Sequence, residues 1–195
     1  MRKPPEGGTQ NMKSEVEKRK PNGALDYISL AITTFGVGYL PLAPGTWGSL
    51  VAVGFYALLA STFSTVRYGA NLQSPESLVA AIHAIILVAF LLFILVGIWA
   101  ASRSIELLGN SDASQAVVDE VIGQLIVFLF IPFTSSWLLI GAGFLLFRLF
   151  DIWKPYPIDY LQELPGGIGV CADDILAGVY AGVCVSIIYA ITLSV

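Results

Sequence analysis

The stretch LVAAIHAIILVAFLLFILVGIWAA, residues 78–101, decides the fold class of this chain. It contains 24 consecutive residues without a formal charge, and His83 is its single ionisable group. A helix of about 20 apolar residues is long enough to cross the roughly 30 Å hydrocarbon core of a bilayer. We therefore predict a transmembrane helix over these residues.

The composition of the whole chain agrees with a membrane protein. Of its 195 residues, 56% are hydrophobic and only 12% are charged, and the mean hydropathy is +0.77. Soluble domains carry about 25% charged residues. A water-soluble fold is therefore excluded, because so few charges cannot cover its surface, and the length suits one domain.

Three more apolar segments accompany the first. Residues 48–66 and 173–195 are predicted spans, whereas 25–40, which two glycines interrupt, predicts an interfacial or re-entrant helix. Loops are expected at 67–77, 103–115 and 155–172. Together with the block described next, these segments predict an all-α polytopic membrane bundle, with about four transmembrane helices plus the N-terminal interfacial or re-entrant helix.

The apolar block at 117–150 is interrupted by the polar break at 132–136. We interpret it as a hairpin with arms at 113–131 and 137–154, which measure about 28 and 27 Å at 1.5 Å per residue. One helix kinked at Pro132 is the alternative, because transmembrane helices tolerate proline.

The basic residues are concentrated at the N-terminus, where six of the ten Lys and Arg residues lie within the first 20 positions. Residues 1–23 are also rich in Pro and Gly, so we expect a disordered tail there and a membrane domain over 24–195. A basic segment beside a membrane marks the cytoplasmic side and can lie on anionic headgroups. Nucleic-acid binding is not expected, because the tail is short and lacks interleaved aromatics.

The distribution of charge also orients the chain. With the N-terminus inside, the predicted spans place nine of the ten Lys and Arg residues on the cytoplasmic side and only Arg67 outside, as the positive-inside rule requires. A single kinked helix would move Arg148 and Lys154 outside, so the rule favours the hairpin. This topology brings three polar patches to the cytoplasmic face, at 39–49, 103–120 and 148–174.

Several mechanisms lack the residues they need. The two cysteines, Cys171 and Cys184, form neither a CxxC pair nor a cysteine-phosphatase loop. His83 lies deep in an uncharged span and is interpreted as a membrane histidine, not a catalytic one. The DxDxT or DxDxV motif of aspartyl-phosphate enzymes is absent from the sequence. Metal-assisted attack by water remains.

Carboxylates in or beside the apolar segments form three clusters: Asp119 with Glu120, Asp151 alone, and Asp173 with Asp174. A charge at mid-membrane costs roughly 2.5–3.5 kcal/mol on insertion scales. Only Arg148 and Lys154 lie nearby in the sequence to balance these five acids. Protons or cations must neutralise the remainder, and hard oxygen ligands of this kind suit Mg²⁺, which pairs well with phosphate.

Each cluster also has a structural interpretation. The acids at 173–174 can stabilise the N-terminus of the last helix, and Asp151 can pair with a basic residue three positions away. Asp119 and Glu120 are expected about two turns inside a helix, among Val and Ile, where a purely structural role is harder to explain. The convergence of all three clusters on one face favours a functional site.

The segment YLPLAPGTWGSL at 39–50 is the other unusual stretch. Its glycines give a flexible turn, and Thr46 and Ser49 offer hydroxyl groups beside a helix start. Free backbone N–H groups at such a start can hold phosphate. The lysine and spacing of a P-loop are missing, and a capped loop entering a membrane helix is the structural alternative.

Four segments carry a family pattern together: GVGYLPLAPGTWGSL at 36–50, VVDEVIGQ at 117–124, FRLFDIWKPYPID at 147–159 and GGIGVCADDILAGVYAG at 166–182. In this order, over about 150 residues, they resemble the phosphatidylglycerophosphatase A family. The combination is specific, whereas each segment alone is not.

The resemblance implies Mg²⁺-dependent hydrolysis of phosphatidylglycerophosphate to phosphatidylglycerol and phosphate, among the lipids of the bacterial inner membrane. The implied functional positions are Asp119, Glu120, Arg148, Asp151, Lys154, Asp173 and Asp174. We expect the acids at 119, 120, 173 and 174 to hold the metal and Asp151 to ligate it or orient water. Arg148 and Lys154 would bind phosphate, Arg148 by a bidentate fork, with Thr46 and Ser49 as further phosphate contacts.

Two other classes of function remain open at this point. Intramembrane carboxylates also serve cation or proton transporters, which place ionisable groups along a path near mid-membrane. A structural membrane subunit without chemistry is the third possibility, and it predicts that Asp119→Asn and Asp174→Asn variants support normal growth.

Overall fold

The computed structural model describes residues 16–68, 76–110, 113–134 and 136–194, and in these ranges the chain is helical without a β-strand. The helices are α1 (Ala24–Thr34), α2 (Pro44–Tyr68), α3 (Glu76–Leu108), α4 (Val118–Val127), α5 (Trp137–Trp153), α6 (Ile158–Leu161) and α7 (Gly166–Thr192). Short 3₁₀ turns lie at Val37–Tyr39 and Phe128–Phe130. The predicted all-α class is confirmed.

Three of these helices, α2, α3 and α7, are long and apolar enough to cross a membrane. The exposed surface of α3 is apolar along much of its length, as in Ile85 and Leu95, which are 68% and 63% exposed. Such a surface is unfavourable in water but suits lipid tails, where the helix satisfies its own backbone hydrogen bonds. The helix α5 has 17 residues and rises about 26 Å.

An antiparallel helix pair lies where the hairpin is predicted, but its first arm is shorter than predicted, and neither α4 nor α5 is among the three helices long enough to cross a membrane. A Cβ atom on Gly123 would lie 2.5 Å from the Phe147 ring, and one on Gly143 would lie 3.2 Å from the side chain of Val127. As the residue number rises along α4, the number of the residue that it contacts in α5 falls, so the two helices are antiparallel. The helix α4 has only 10 residues, about 15 Å, because the chain forms turns before Val118.

The predicted N-terminal helix is also confirmed, as α1. It ends at Phe35, which adopts a left-handed conformation with φ of 47°. Two hydrogen bonds attach its last turn to the rest of the bundle: Val117 donates its N–H to the Thr33 carbonyl at 2.8 Å, and the hydroxyls of Thr33 and Ser104 pair at 2.9 Å. This attachment places the 3₁₀ turn and the start of α2 beside the start of α4.

Several predicted boundaries are wrong, because hydropathy does not define where the packing of a helix ends. The helix α3 continues past 101 to Leu108, since Ser104 and Leu107 are buried against neighbouring elements. The helix α7 begins at Gly166 and not at 173. Gly167 donates its N–H to the Ser102 hydroxyl at 2.8 Å, so glycines that suggested a loop allow close helix contact instead.

Some predictions concern residues outside the described ranges. The expected loop at 67–77 falls mostly on 69–75, and the expected disordered tail falls mostly on 1–15. The described part of that tail has no regular structure, but Arg19 donates its backbone N–H to the Glu106 carbonyl at 2.9 Å.

Candidate active site

The helices α4 and α7 carry the same pattern, a carboxylate four residues before a glycine: Asp119 with Gly123, and Asp174 with Gly178. Residues four apart lie on one face of a helix. A Cβ atom on Gly123 would lie 2.5 Å from the Asp174 carbonyl oxygen, and one on Gly178 would overlap the Gly123 carbonyl. The two backbones therefore touch. This contact places Asp119 and Asp174, which lie one turn before the two glycines, side by side.

The resulting cluster consists of Asp119, Glu120 and Asp174, which we call the carboxylate triad. Each contributes one oxygen atom, and these atoms lie within 4.8 Å of one another. Within the described part of the chain, Asp119 Oδ1 and Glu120 Oε2 are buried without a hydrogen-bond partner. Buried unpaired carboxylate oxygens are costly. Three hard oxygen donors that converge in this way fit a divalent cation such as Mg²⁺.

Asp119 and Glu120 lie in the first turn of α4, not two turns inside a helix as predicted. The helix begins later than expected, at Val118, because the preceding residues form a turn that ends in the hydrogen bond to α1. At this position the positive end of the helix dipole favours negative charge. The dipole therefore offsets part of the free-energy cost of holding two carboxylates at this position.

The two nearby cations are each paired with one of the other acids. Arg148 Nη1 lies 2.6 Å from Asp151 Oδ2, three residues further along α5, and Lys154 Nζ pairs with Asp173 Oδ2. Arg148 also interacts electrostatically with Glu120, so the carboxylate triad shares one positive charge with Asp151 and remains short of cations. Its excess negative charge requires protons or a metal ion.

Asp151 and Asp173 occupy different positions relative to the carboxylate triad. Asp151 interacts electrostatically with both Glu120 and Asp174, so it adjoins the triad. Asp173 has one oxygen on Lys154, while its Oδ1 is buried without a hydrogen-bond partner in the described ranges. The five predicted acids and two predicted cations therefore lie in one group.

The start of α2 closes one side of this group. Pro44 occupies the first helical position, where its missing N–H costs nothing. A Cβ atom on Gly45 would overlap Glu120 Oε1 and lie 3.0 Å from Arg148 Nη1, and one on Gly48 would lie 2.9 Å from the Val117 side chain. At Gly48 a side chain would meet the Cβ and the backbone of Val117, so glycine allows this approach, which brings the helix start against the acids.

The two predicted hydroxyl residues lie in this first part of α2. Thr46 is partly exposed, and its backbone N–H donates to the Ala43 carbonyl at 2.9 Å. Ser49 is fully buried, and its hydroxyl donates to the Gly45 carbonyl at 3.0 Å. The Ser49 proton is thus used within α2, and only its oxygen lone pairs remain for another partner.

Sequence reasoning missed Gln124, which follows Glu120 by one turn of α4. It is fully buried, and neither its amide oxygen nor its amide nitrogen has a hydrogen-bond partner among the described residues. The available signal was an amide side chain inside an otherwise apolar helix, where an unpaired polar group is costly.

His83 lies away from the carboxylate triad, towards the other end of the bundle. Its Nδ1 pairs with the Val79 carbonyl at 2.8 Å, and its ring contacts Phe63 and Phe133 at centroid distances of 5.4 and 5.6 Å. These contacts satisfy the ring within the membrane region, as expected for a histidine outside the chemistry.

Comparison with known proteins supplies the family. A family model described as PgpA, Phosphatidylglycerophosphatase A, matches residues 30–189. A "Putative phosphatidylinositol-3-phosphatase" from Bacteroides thetaiotaomicron is 38% identical over 160 residues, which are 80% of this chain and 89% of the relative. No solved structure gives a significant match.

Two further relatives carry the family name. "Phosphatidylglycerophosphatase A" of Escherichia coli is 35% identical over 146 residues, covering 74% of this chain and 73% of the relative. The protein of the same name from Haemophilus influenzae is 36% identical over 169 residues, covering 86% and 92%. All four sequence segments that contribute to the acidic group fall within the matched region. The chain therefore belongs to the phosphatidylglycerophosphatase A family and is a phosphoric monoester hydrolase.

Proposed function

We propose that this enzyme hydrolyses phosphatidylglycerophosphate to phosphatidylglycerol and inorganic phosphate. The observation that carries the proposal is the convergence of Asp119, Glu120 and Asp174 beside two cations. Phosphoryl transfer depends mainly on positioning and on neutralising charge, and this group provides both. The names of the Escherichia coli and Haemophilus influenzae relatives support the choice of lipid.

In this proposal the carboxylate triad holds Mg²⁺, and Asp173 Oδ1 is a further possible ligand since it has no other partner among the described residues. When bound, the metal would neutralise phosphate charge and lower the pKa of a water molecule. Asp151 holds Arg148 by its ion pair and, because it adjoins the triad, can accept a proton from the attacking water.

The cations bind the phosphate of the substrate. Arg148 uses one nitrogen on Asp151, and the other N–H groups of its guanidinium fork are suited to two phosphate oxygens. Lys154 supplies a second positive charge and is held by Asp173. Thr46 in the first turn of α2 and the Ser49 oxygen in its second turn would contribute weaker contacts.

We place the enzyme in the bacterial inner membrane, with its N-terminus and its site facing the cytoplasm. The positive-inside rule supports this orientation. The position of the acids disfavours a transporter: they lie in the first turn of α4, the third turn of the 27-residue α7 and the last turn of α5, whereas a transport path needs ionisable groups near mid-membrane.

The first test measures phosphate release from phosphatidylglycerophosphate by the purified protein in detergent, with Mg²⁺ and then with EDTA. We expect release that requires Mg²⁺ and falls by at least about a hundredfold in Asp174→Asn, Glu120→Gln and Asp151→Asn. The exposed Asp159→Asn serves as the matched control and should retain wild-type activity. Folded protein that releases no phosphate under any condition would overturn the proposal.

A second substrate is favoured by one comparison, the name of the Bacteroides thetaiotaomicron relative. The same assay with phosphatidylinositol 3-phosphate tests it, since both lipids carry a phosphate monoester at the membrane surface. We expect the larger kcat/KM for phosphatidylglycerophosphate. A larger kcat/KM for the inositol lipid would leave the proposed chemistry of the site unchanged but would make phosphatidylinositol 3-phosphate the preferred substrate.

A further inference from the structure

A cavity of about 510 Å³ lies between α2, α3 and α4. Its walls are apolar or aromatic side chains from all three helices, among them Val51, Leu59, Ala89, Phe90, Val121 and Leu125. The one lining hydroxyl, that of Tyr56, accepts a hydrogen bond from the Thr134 N–H at 3.1 Å. Apart from this hydroxyl, the lining side chains among the described residues are hydrocarbon, so the cavity suits an apolar ligand.

One end of the cavity adjoins the acidic site. Val121 and Leu125 form its wall on α4, at positions i and i+4 along one face of the helix, and Phe128 continues this wall at the start of the following 3₁₀ turn. Val121 directly follows Glu120, so the wall begins in the same helical turn as the carboxylate triad. A Cβ atom on Gly48, one turn before Val51, would lie 3.5 Å from the Glu120 side chain.

The cavity then runs along the helices away from the acids. On α2 its wall extends over the nine residues from Val51 to Leu59, a rise of about 12 Å. Its far end reaches Phe133, in the turn of the α4–α5 hairpin. A lipid whose phosphate binds at the acids would extend its acyl chains in this direction, from the membrane surface towards the bilayer interior. The volume falls within the usual 300–1,000 Å³ of ligand pockets.

We propose that this cavity binds an acyl chain of the lipid substrate while the phosphate occupies the acidic site. The inference rests on the proposed function, because the occupant is the substrate of that site. It makes the cavity a determinant of chain-length preference: a long chain can fill it, whereas a short chain leaves most of it empty.

The test narrows the cavity and compares two substrates. Ala89→Phe places a ring inside the cavity, and Ala84→Phe is the matched control, since Ala84 is an exposed alanine of α3 that does not line it. Phosphate release is measured with dioleoyl and with dihexanoyl phosphatidylglycerophosphate. We expect Ala89→Phe to lower kcat/KM roughly tenfold on the dioleoyl lipid and less than about twofold on the dihexanoyl lipid, with no change in Ala84→Phe.

The outcomes separate the two proposals. If the wild-type protein releases no phosphate from either lipid, the proposed function fails. If the wild-type protein is active, and Ala89→Phe lowers kcat/KM equally on both lipids or on neither, the cavity proposal is overturned. A change of oligomeric state in Ala89→Phe, with equal losses on both lipids, would assign the cavity to contact with a second copy of the chain.

A measurement on the wild-type protein covers the case in which Ala89→Phe does not fold. Dioleoyl-type phosphatidylglycerophosphate with a photoreactive diazirine near the chain end is bound, irradiated and mapped by mass spectrometry. We expect labelling at Ala89, Leu125 and their cavity neighbours, and its loss when unlabelled substrate, but not phosphatidylcholine, competes. Labelling spread over the outer face of α3, at Leu92 and Leu95, would overturn the proposal.

Discussion

Lys154 and Asp173 show how single residues balance charge at the active site. Their ion pair joins the end of α5 to α7, and the Asp173 side chain is nearly inaccessible to solvent, with 7% exposed. A buried acid that loses its partner is strongly unfavourable, whereas the pair as a whole is close to neutral for stability. The two residues therefore contribute to stability together and to catalysis separately.

We predict that Lys154→Met destabilises the protein by about 3–5 kcal/mol, because it leaves Asp173 buried and unpaired. Adding Asp173→Asn should recover most of that loss, since the double variant has no unpaired charge. Thermal unfolding in detergent measures both. Activity should stay low in the double variant because phosphate has lost a cation. Recovery of activity together with stability would assign Lys154 a purely structural role.

Asp26 is held by a second charge group, away from the active site. Arg19 binds its carboxylate through two nitrogens at 2.7 and 3.1 Å, and Arg103 of α3 lies 2.7 Å from the same side chain. The Arg19 fork, with the Asn22 N–H and Arg103, holds the pKa of Asp26 well below its usual value. The segment before α1 is attached to α3 through this carboxylate.

A pH dependence of stability follows from Asp26. A depressed folded pKa contributes stability that is present above the unfolded pKa of about 3.9 and is lost as pH falls through the folded value. We expect Asp26→Asn to lower Tm at pH 7, and the difference from wild type to shrink as pH falls below about 4. A constant difference across this pH range, measured by thermal unfolding, would contradict the assignment.

At the scale of elements, the contact between α4 and α7 determines the site geometry. Gly123, Ala177, Gly178 and Ala181 are buried small residues on the two helices, and they allow the backbones to touch. Small residues of this kind allow close helix packing in membranes. Burial of apolar side chains does not itself drive helix association there, because the lipid tails are equally apolar. The carboxylate triad depends on this spacing, because its acids come from both helices.

We predict opposite effects of two alanine substitutions. At Gly178 the added Cβ overlaps the Gly123 carbonyl, so Gly178→Ala should destabilise by about 1–3 kcal/mol and reduce phosphate release. At Gly141 of α5 a Cβ atom meets nothing within 4 Å, so Gly141→Ala should stabilise by about 0.5–1 kcal/mol through helix propensity. Equal Tm values for the two variants would show that the α4–α7 contact tolerates separation.

At the scale of the whole molecule, charge and aromatic residues define two ends. Arg19, Arg103, Arg148 and Lys154 all lie at the end that holds the acids. Trp137 and Trp153, at the two ends of α5, are 76% and 69% exposed. Tryptophans in such positions mark the two membrane interfaces. The bundle therefore has one charged end, which holds the acids and their basic partners, and one apolar far end.

The topology can be tested independently of activity. The helices α2, α3 and α7 are long and apolar enough to cross once each, and we expect the α4–α5 hairpin to return to the side where it started because both of its ends adjoin α7. The chain ends should therefore lie on opposite sides of the membrane. We expect green fluorescent protein to fluoresce when fused at the N-terminus and to stay dark at the C-terminus. Fluorescence from both fusions would contradict this arrangement.

The sequence by itself determined the membrane class, the long helices and the acids beside the apolar segments, because each depends on local composition, and its distribution of basic residues favoured the hairpin. Only the tertiary structure decided that α7 begins at Gly166, that α3 continues to Leu108 and that Lys154 pairs with Asp173. It also decided the approach of Gly45 to Glu120 and the apolar cavity between the helices. These features arise from contacts between residues far apart in the chain, and a hydropathy pattern carries no information about which helix faces meet.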